Sequence, residues 1–321
     1  MIARRTLLAA GALLPGAARA QADYPNRPVR IIVPFPPGQA ADIVTRLIAD
    51  ELSRRWPQRV VVENRAGGAG VPALEAGARS VADGYTLING TSGTLGINPG
   101  VIQRLPYDPL RDFASITNVA MVPLMIIAHP SFVAQDLDAL LAKARAEPGK
   151  IDVASAGPAT SQHMAAEMFA HQAGIQLNIV HYRGSGPAVT DLIAGNIPVM
   201  FDSVASALPH IRGGRARAIA VTMRTRVAQL PDTPAITERL NGYEAAGWSG
   251  LVAPAGTPPD ILRKINADVV AILREAPVMA RIAELGMITD PQTPAEHTQF
   301  LTAEIAKWRE VARVANVRLD G

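Results

Sequence analysis

The sequence predicts an α/β fold of two lobes, with two doubly wound sheets joined by a hinge of two chain crossings. Short apolar runs typical of buried strands alternate with amphipathic helical stretches along most of the chain. A long apolar run at 113–129, interrupted by Pro123, is interpreted as one crossing, and the apolar run at 248–253 as the return crossing. The chain of 321 residues is long enough to bury two hydrophobic cores.

The first lobe is predicted to begin with a βαβαβ pattern, which indicates an open and mostly parallel sheet. Its strands are expected at 29–33, 60–62 and 86–89, and its helices at 42–55 and 72–80. The lobe is completed by the C-terminal part of the chain, so that lobe 1 covers residues 22–122 and 249–321. Three helices are expected there, each with a proline near its first turn, at 259–275, 277–285 and 294–314.

The second lobe, residues 123–248, repeats the alternation of strands and helices. Its strands are predicted at 151–155, 179–182, 199–202 and 216–222. Its helices are predicted at 161–173, 187–194 and 205–213. In open α/β sheets, ligands bind beyond the carboxyl ends of the strands. The two lobes are therefore expected to form a hinged cleft with those strand ends facing it.

The first twenty residues predict export. Arg4 and Arg5 precede an apolar stretch at 6–14, and Ala18-Arg19-Ala20 is a site of the small-x-small type. Cleavage is expected after Ala20, with the mature protein in the periplasm; the paired arginines leave both Sec and Tat export open. No later stretch approaches the roughly 20 apolar residues of a spanning helix.

Charge and cysteine content exclude several classes of function. Lys and Arg number 31 against 28 Asp and Glu, but Arg4, Arg5 and Arg19 lie in the predicted signal, which contains no acid. The mature chain is then neutral and carries no basic surface for nucleic acid or anionic lipid. The chain contains no cysteine, which rules out disulfides, thiolate metal sites and thiol nucleophiles.

Four loops at predicted strand ends share small residues, hydroxyls and a following helix: 34–42, 155–161, 183–187 and 201–203. A helix N-terminus offers free N–H groups and roughly half a positive charge, so several together favour a carboxylate or another small anion without a buried arginine. Helix capping is the alternative for Asp42, Thr160, Ser185 and Ser203. The predicted ligand-binding residues are Phe35, Gly38, Gln39, Ala40, Asp42, Thr91, Ser92, Ser155, Gly157, Thr160, Ser161, His163, Tyr182, Arg183 and Asp202.

Motifs for catalysis, metals and cofactors are missing from the sequence, so no enzyme, metal or cofactor is predicted. A hydrolase using Ser155 or Ser161 with His163 is the alternative from another class, but no third group orients the histidine. The segment 68–73 has the form GxGxxA of a dinucleotide-binding turn. It follows the second strand, and no acid ends the next strand to hold a ribose, so a tight glycine turn is the preferred interpretation.

Seven segments together resemble the Bug family, the TctC-like solute receptors of tripartite tricarboxylate transporters. They extend over the mature chain at 24–38, 60–70, 83–87, 97–113, 154–169, 181–222 and 248–258. The resemblance implies a periplasmic binding protein fold (type II-like) that closes on a small carboxylate. It also implies main-chain and water-mediated capture of that carboxylate, and delivery to membrane permease subunits by a monomeric receptor. A receptor that presents its ligand to a signalling partner is a further alternative.

One departure from the family pattern concerns the first loop. After Pro-Phe-Pro-Pro-Gly the relatives usually continue Gly-Gly-[Thr/Ser]-Asp, whereas this chain has Gln39-Ala40-Ala41-Asp42. A glycine is replaced by a long amide side chain and a hydroxyl is lost. The usual ligands of the family therefore cannot be assumed for this chain.

Overall fold

The computed structural model describes residues 24–319 of the chain. The predicted signal at 1–20 and its cleavage site after Ala20 lie outside the described residues. Among helices within 24–319, none combines the length and apolar character that a bilayer crossing requires.

Lobe 1 is built on three parallel strands in the order β2–β1–β3. These are β1 (Val29–Val33), β2 (Val60–Asn64) and β3 (Thr86–Thr91), connected by α1 (Ala40–Arg55) and α2 (Val71–Ala78). Successive residues of β3 point to opposite faces, so Leu87 packs in the core under α1 while Ile88 packs in the core under α2. This is the predicted βαβαβ unit with helices on both faces. A π-helical turn (Ser92–Ile97) and the short α3 (Asn98–Val101) follow β3 and were not predicted.

The 16-residue strand β4 (Phe113–Ala128) belongs to both sheets. Its first part pairs antiparallel with β9 (Ala246–Pro254), ending at Pro123 opposite Ala246. From Leu124 onward it pairs antiparallel with β7 (Val199–Ser203) and β8 (Arg217–Val221). Pro123, which cannot donate to a ladder, lies where the partner strands change. The predicted long strand is confirmed, and its partner strands change at Pro123.

Lobe 2 continues this sheet in the order β4–β7–β5–β6, and β5 pairs in parallel with both neighbours. The elements are β5 (Asp152–Ser155), α5 (Ser161–Ala173), β6 (Asn178–His181), α6 (Ser185–Ala194) and α7 (Val204–Arg212), which begins directly after β7. All of them correspond to predicted elements. Helix α4 (Leu137–Ala146) was not predicted, although Asp136 caps it and its buried leucines have helical spacing.

The C-terminal helices are α8 (Pro259–Leu273), α9 (Ala276–Glu284) and α10 (Pro294–Val314), with the short β10 (Ile288–Thr289) between the last two. Helix α10 has the predicted bounds. Its residues Trp308, Val311 and Ala312 are buried in a core that also contains Phe169 and Phe201 of lobe 2. The C-terminal helix therefore packs on both lobes.

The carboxyl edges of both sheets face the crossing. Thr91, the last residue of β3, is paired with Ser249, and Ser203, the last residue of β7, is paired with Leu124. Helix α5 contacts the π-helical turn across this region. A Cβ at Gly247 would lie 3.2 Å from Val122 Cβ and 3.5 Å from Ser161 Oγ. A glycine at 247 thus allows the second lobe to approach β9 closely.

Candidate ligand-binding site

The loop that follows β1, residues 34–39 (the first-lobe loop), is anchored from behind by Asp42. The backbone N–H of Gly38 donates to Asp42 Oδ2 at 2.8 Å. The Asn64 side chain donates to Asp42 Oδ1 at 2.7 Å and to the Phe35 carbonyl at 2.9 Å. Arg46, one turn further along α1, donates to both carboxylate oxygens at 3.0 and 2.9 Å. The carboxylate is buried and fully occupied by protein groups.

This arrangement determines both the charge of Asp42 and what the loop presents. Burial raises the pKa of Asp42, but hydrogen bonds from Arg46, Asn64 and the Gly38 amide outweigh it and hold the pKa below its usual value. Gln39 precedes α1 without a side-chain capping bond. Residues Gly38, Gln39 and Ala40 are exposed at this helix N-terminus. The loop therefore presents its backbone and the Gln39 amide, while Asp42 faces inward.

At the end of β3, Thr91 and Thr94 form a capping box that begins the π-helical turn. The Thr94 amide donates to Thr91 Oγ1 at 3.3 Å, and the Thr91 amide donates to Thr94 Oγ1 at 3.0 Å. Ser92 lies at the N-terminal end of this turn and is buried. The Thr91 hydroxyl is therefore hydrogen-bonded within the turn, next to the crossing.

The glycine turn that precedes α2 packs against this region. A Cβ at Gly70 would lie 2.6 Å from Thr94 Cγ2 and 2.9 Å from Pro34 Cβ, and the residue has φ +78°. Only glycine fits both the space and the backbone angle. This is the tight-turn interpretation of the GxGxxA segment, with its glycines used for packing.

In lobe 2, residues 156–160 (the second-lobe loop) connect β5 to α5. Thr160 caps α5, since its hydroxyl accepts from the His163 amide at 3.3 Å and donates to the Gly157 carbonyl at 2.8 Å. The buried Ser155 lies 2.8 Å, Oγ to Nδ1, from His181. Ser161 is partly exposed and its hydroxyl donates to Gln162 Oε1 at 3.2 Å. Ser155 and Ser161 therefore have partners other than His163.

His163 is directed into the lobe, toward protein groups on both ring nitrogens. The Ala159 amide donates to Nδ1 at 3.0 Å, and Nε2 lies 3.3 Å from Glu167 Oε1. Its ring packs edge-on against His181, with 4.5 Å between centroids. The Ser–His pair required for the hydrolase alternative is not assembled among these residues.

The loop after β6 presents Arg183. Tyr182 donates its hydroxyl to Asp191 Oδ2 at 2.8 Å, which ties the strand end to α6. Desolvation and this carboxylate raise the pKa of Tyr182. Gly184 N–H donates to the Ala156 carbonyl at 3.1 Å, so this loop and the second-lobe loop are hydrogen-bonded to each other. The Arg183 side chain is exposed.

Asp202, at the end of β7, joins the N-termini of α6 and α7. Its Oδ1 accepts from the Ser185 hydroxyl at 2.7 Å and from the Ser203 amide at 2.8 Å. Its Oδ2 is buried and has no hydrogen-bond partner among residues 24–319. Burial raises the pKa of Asp202, against the lowering effect of the neighbouring hydroxyls. Ser203, not Asp202, is the N-cap of α7, while Ser185 follows the Gly184 cap of α6.

Sequence reasoning missed the residues that hold these loops. Arg46 lies four residues after Asp42 on a helix, and this spacing could have predicted an ion pair between them. Asn64 ends the strand next to β1 in register with Val33, so its reach to the first loop follows from strand order. His181 and the positive φ of Ala159 have no sequence signal that we recognise.

Two α/β lobes joined at strand crossings, with helix N-termini gathered around the crossing, define a solute-binding receptor. Residues 44–317 match the family described as tripartite tricarboxylate transporter family receptor (TctC). The chain is 35% identical to BugT of Bordetella pertussis over 300 residues, which are 92% of this chain and 91% of BugT. The chain belongs to the TctC family of periplasmic solute-binding receptors, which are not enzymes, and the predicted family is confirmed.

Solved structures agree on the fold. An R. palustris protein with adipate has a TM-score of 0.83 at 33% identity, covering 92% of this chain and 99% of that one. MatC from Rhodopseudomonas palustris with bound malate has a TM-score of 0.77 at 30% identity, covering 90% and 99%. The predicted two-lobed α/β fold is thereby confirmed.

Proposed function

We propose that this receptor binds a small mono- or dicarboxylate between its lobes in the periplasm. It then delivers the ligand, as a monomer, to the membrane permease subunits of a tripartite tricarboxylate transporter. The observation that carries the proposal is the group of helix N-termini of α1, α5, α6 and α7 at strand ends facing the crossing. Each supplies free N–H groups and partial positive charge suited to a carboxylate.

Two relatives support the choice of ligand class. The ligands of the two R. palustris structures, adipate and malate, are both dicarboxylates. Export before residue 21 and lobe boundaries near 122 and 248 are parts of the same proposal. Because Pro123 of β4 is paired with Ala246 of β9, we propose that the second boundary lies close to Ala246, slightly before the boundary expected at 248.

The predicted binding residues divide into two groups by their contacts. Those with exposed or partly exposed groups at the loops are proposed to touch the ligand: Phe35, Gly38, Gln39, Ala40, Ser161 and Arg183. Ser92 and Gly157 are buried just after the ends of their strands and are also proposed to touch it. Those whose polar groups are engaged within the protein are proposed to act through the loops: Asp42, Thr91, Ser155, Thr160, His163 and Tyr182. Asp202 is proposed to face the ligand through Oδ2.

Thermal-shift screening of a carboxylate panel containing succinate, adipate and malate tests the ligand class. A ligand at 100 times its Kd adds about 2.7 kcal/mol to the free energy of unfolding, and a clear rise in Tm follows. Neutral sugars of similar size are the control. Stabilisation by sugars and by no carboxylate would overturn the proposal.

Arg183→Ala tests the predominance of backbone recognition. Arg183 is an exposed cation of the loop after β6, so its loss should weaken carboxylate binding by about 1–3 kcal/mol, the value of one charge-assisted hydrogen bond. Calorimetric titration with the carboxylate selected in the screen measures the change. Arg212→Ala, an exposed arginine at the far end of α7, is the control. Complete loss of binding in a folded Arg183→Ala protein would show that a salt bridge carries recognition.

Asp202→Asn tests whether the unpartnered Oδ2 meets a donor on the ligand. If it does, ligands that carry a hydroxyl, an ammonium or a protonated acid lose affinity selectively, by about 1–3 kcal/mol. Succinate and malate differ by one hydroxyl and give a matched pair of probes. Equal affinities of both proteins for every probe would restrict Asp202 to joining α6 and α7.

Gln39→Gly restores the residue that relatives have at this position. Gln39 is exposed at the N-terminus of α1, so the change should alter the ranking of carboxylates in the same screen while leaving Tm of the unliganded protein nearly unchanged. An unaltered ranking would exclude Gln39 from specificity.

A further inference from the structure

We propose that His163 is a positioning residue for the second-lobe loop and that ligand affinity falls on acidification because only its neutral imidazole can hold that loop. The inference rests on the proposed function, since it assigns this loop to ligand binding. His163 itself touches protein groups on both sides and acts through Ala159.

The bond between Ala159 N–H and His163 Nδ1 holds an unfavourable backbone conformation. Ala159 has φ +54°, in the left-handed region that L-residues other than glycine rarely adopt. It directly precedes Thr160, the cap of α5, so its conformation sets the direction in which the loop enters the helix. Both Ala159 and the His163 ring are buried, which leaves little water to replace the bond.

The hydrogen bonds also fix the tautomer of the ring. Since Nδ1 accepts from an amide, the proton of the neutral ring must lie on Nε2, where Glu167 Oε1 at 3.3 Å can accept it. A second proton could enter only at Nδ1. An imidazolium has no acceptor, so its Nδ1–H would face the Ala159 N–H and the bond would be lost.

The charged and titratable groups that face the ring come from two elements. Glu167 belongs to the same helix and favours a cation, while His181 on β6 lies edge-on at 4.5 Å. Desolvation and His163 lower the pKa of His181, and Glu167 raises it. From β5 the neighbour is the neutral Ser155 hydroxyl, which can accept from a protonated His181 without moving.

The direction of the pH effect follows from these contacts. A proton on His181 is compatible with its bond to Ser155, whereas a proton on His163 breaks the bond to Ala159. The protein therefore binds fewer protons when the loop is held in its binding geometry than when the loop is released. Affinity should therefore be greater at pH 7.5 than at pH 5.0, since acid favours the protonated ring.

Two substitutions of His163 separate the role of its Nδ1 from that of its Nε2. In His163→Asn the amide oxygen stands close to the position of Nδ1 and can accept from Ala159 without titrating. In His163→Gln the amide reaches the position of Nε2 and keeps the contact with Glu167 but not the one with Ala159. His171→Asn removes an exposed histidine of the same helix and is the control.

Calorimetric titration with adipate and with malate from pH 7.5 to 5.0 measures the effect. The titration of the ligand itself is common to all proteins and cancels in the ratio of wild-type Kd to variant Kd. The ratio of wild type to His163→Asn should rise on the order of tenfold at acid pH, the change that 1.4 kcal/mol produces. His163→Gln should bind weakly throughout, and His171→Asn should follow the wild type. A ratio of wild type to His163→Asn that does not change with pH would overturn the proposal.

A measurement without ligand keeps this inference separate from the proposed function. In wild-type protein with ¹⁵N-labelled histidine, NMR should show His163 as the Nε2–H tautomer, and the Ala159 amide should lose protection from hydrogen exchange at pH 5.0 relative to pH 7.5. The Nδ1–H tautomer, or unchanged protection, would overturn the positioning role even if carboxylates bind. If the Nε2–H tautomer and the pH-dependent protection are observed but no carboxylate binds, the proposed function is wrong and the positioning role of His163 is retained.

Discussion

The first-lobe and second-lobe loops both join a parallel strand to the N-terminus of a helix, yet different chemistry holds them. Asp42 anchors the first-lobe loop as a carboxylate that Arg46 and Asn64 keep ionised. A neutral ring and a hydroxyl anchor the second-lobe loop, through the bonds of His163 and Thr160. Both loops lead into a helix N-terminus, but a charged group anchors the first-lobe loop and uncharged groups anchor the second-lobe loop.

The comparison shows that the two halves of one site can respond to different conditions. The lowered pKa of Asp42 favours its charged form, whereas the His163 ring accepts the Ala159 hydrogen bond only while its Nδ1 is unprotonated. Acidification should therefore release the lobe 2 half of the site first. Substitutions at the anchors can test this difference one lobe at a time.

The largest expected effect comes from Asp42→Ala. It leaves the Gly38 amide and the Asn64 side chain without their acceptor, so the free energy of unfolding should fall by about 2–3 kcal/mol. Urea denaturation measures the change. Asp50→Ala, an exposed acid two turns along α1, should stay within about 0.5 kcal/mol. A loss no larger than that of the control would mean that Asp42 does not hold the loop.

The same site predicts a pH dependence. Because the pKa of Asp42 is lower in the folded protein, its contribution is complete above the unfolded value of about 3.9 and is lost as the pH falls through the folded value. The stability difference between wild type and Asp42→Asn should therefore be constant from pH 5 to 7 and shrink below pH 4. A difference that begins to shrink near pH 6 would assign the effect to another group.

A smaller effect is expected from Thr160→Ala in the second-lobe loop. The change removes the cap of α5 and the bond to the Gly157 carbonyl, at a cost of about 1 kcal/mol. The Thr190 hydroxyl bonds only to the Gly186 carbonyl within α6, so Thr190→Ala is the matched control. Equal urea midpoints for the two variants would show that Thr160 does not hold the second-lobe loop.

The smallest effect is a gain. Ala159→Gly relieves the left-handed conformation but gives the unfolded chain more freedom, and the balance should stabilise the protein by roughly 0.5 kcal/mol. Ala156→Gly in the same loop has no positive φ to relieve and should destabilise it. If Ala159→Gly destabilises to the same degree as Ala156→Gly, the backbone at 159 is not strained in solution.

Much of the fold could be predicted because its signals are local. Strand β1 and helices α5 and α10 have the predicted bounds, and the long strand differs by one residue at its end. Prolines at the first turns and the period of apolar residues are sufficient for these elements. Helix α4 was missed although Asp136 and its leucines gave the same kind of signal.

The loops of the candidate site could be predicted from the sequence, but the side-chain contacts that hold them could not. Strand order places the ends of β1, β3, β5 and β7 at the same edges, which is why the loops could be identified from sequence. Asp42 and His163 were predicted to bind ligand, whereas their polar atoms meet protein groups. His163 on α5 packs against His181 on β6, and no local sequence pattern predicts such a contact.

The continuous strand β4 has a consequence for how such receptors diversify. A lobe cannot be exchanged between two receptors as a module, because the joint would cut β4 inside its hydrogen-bonded ladders at Pro123. Trp308 of α10 would also have to fit the core of the incoming lobe. Recombination of whole lobes is therefore costly in this architecture, whereas point changes in the loops, such as glutamine at position 39, leave the joint intact. New ligand preferences should arise in this fold by loop substitution.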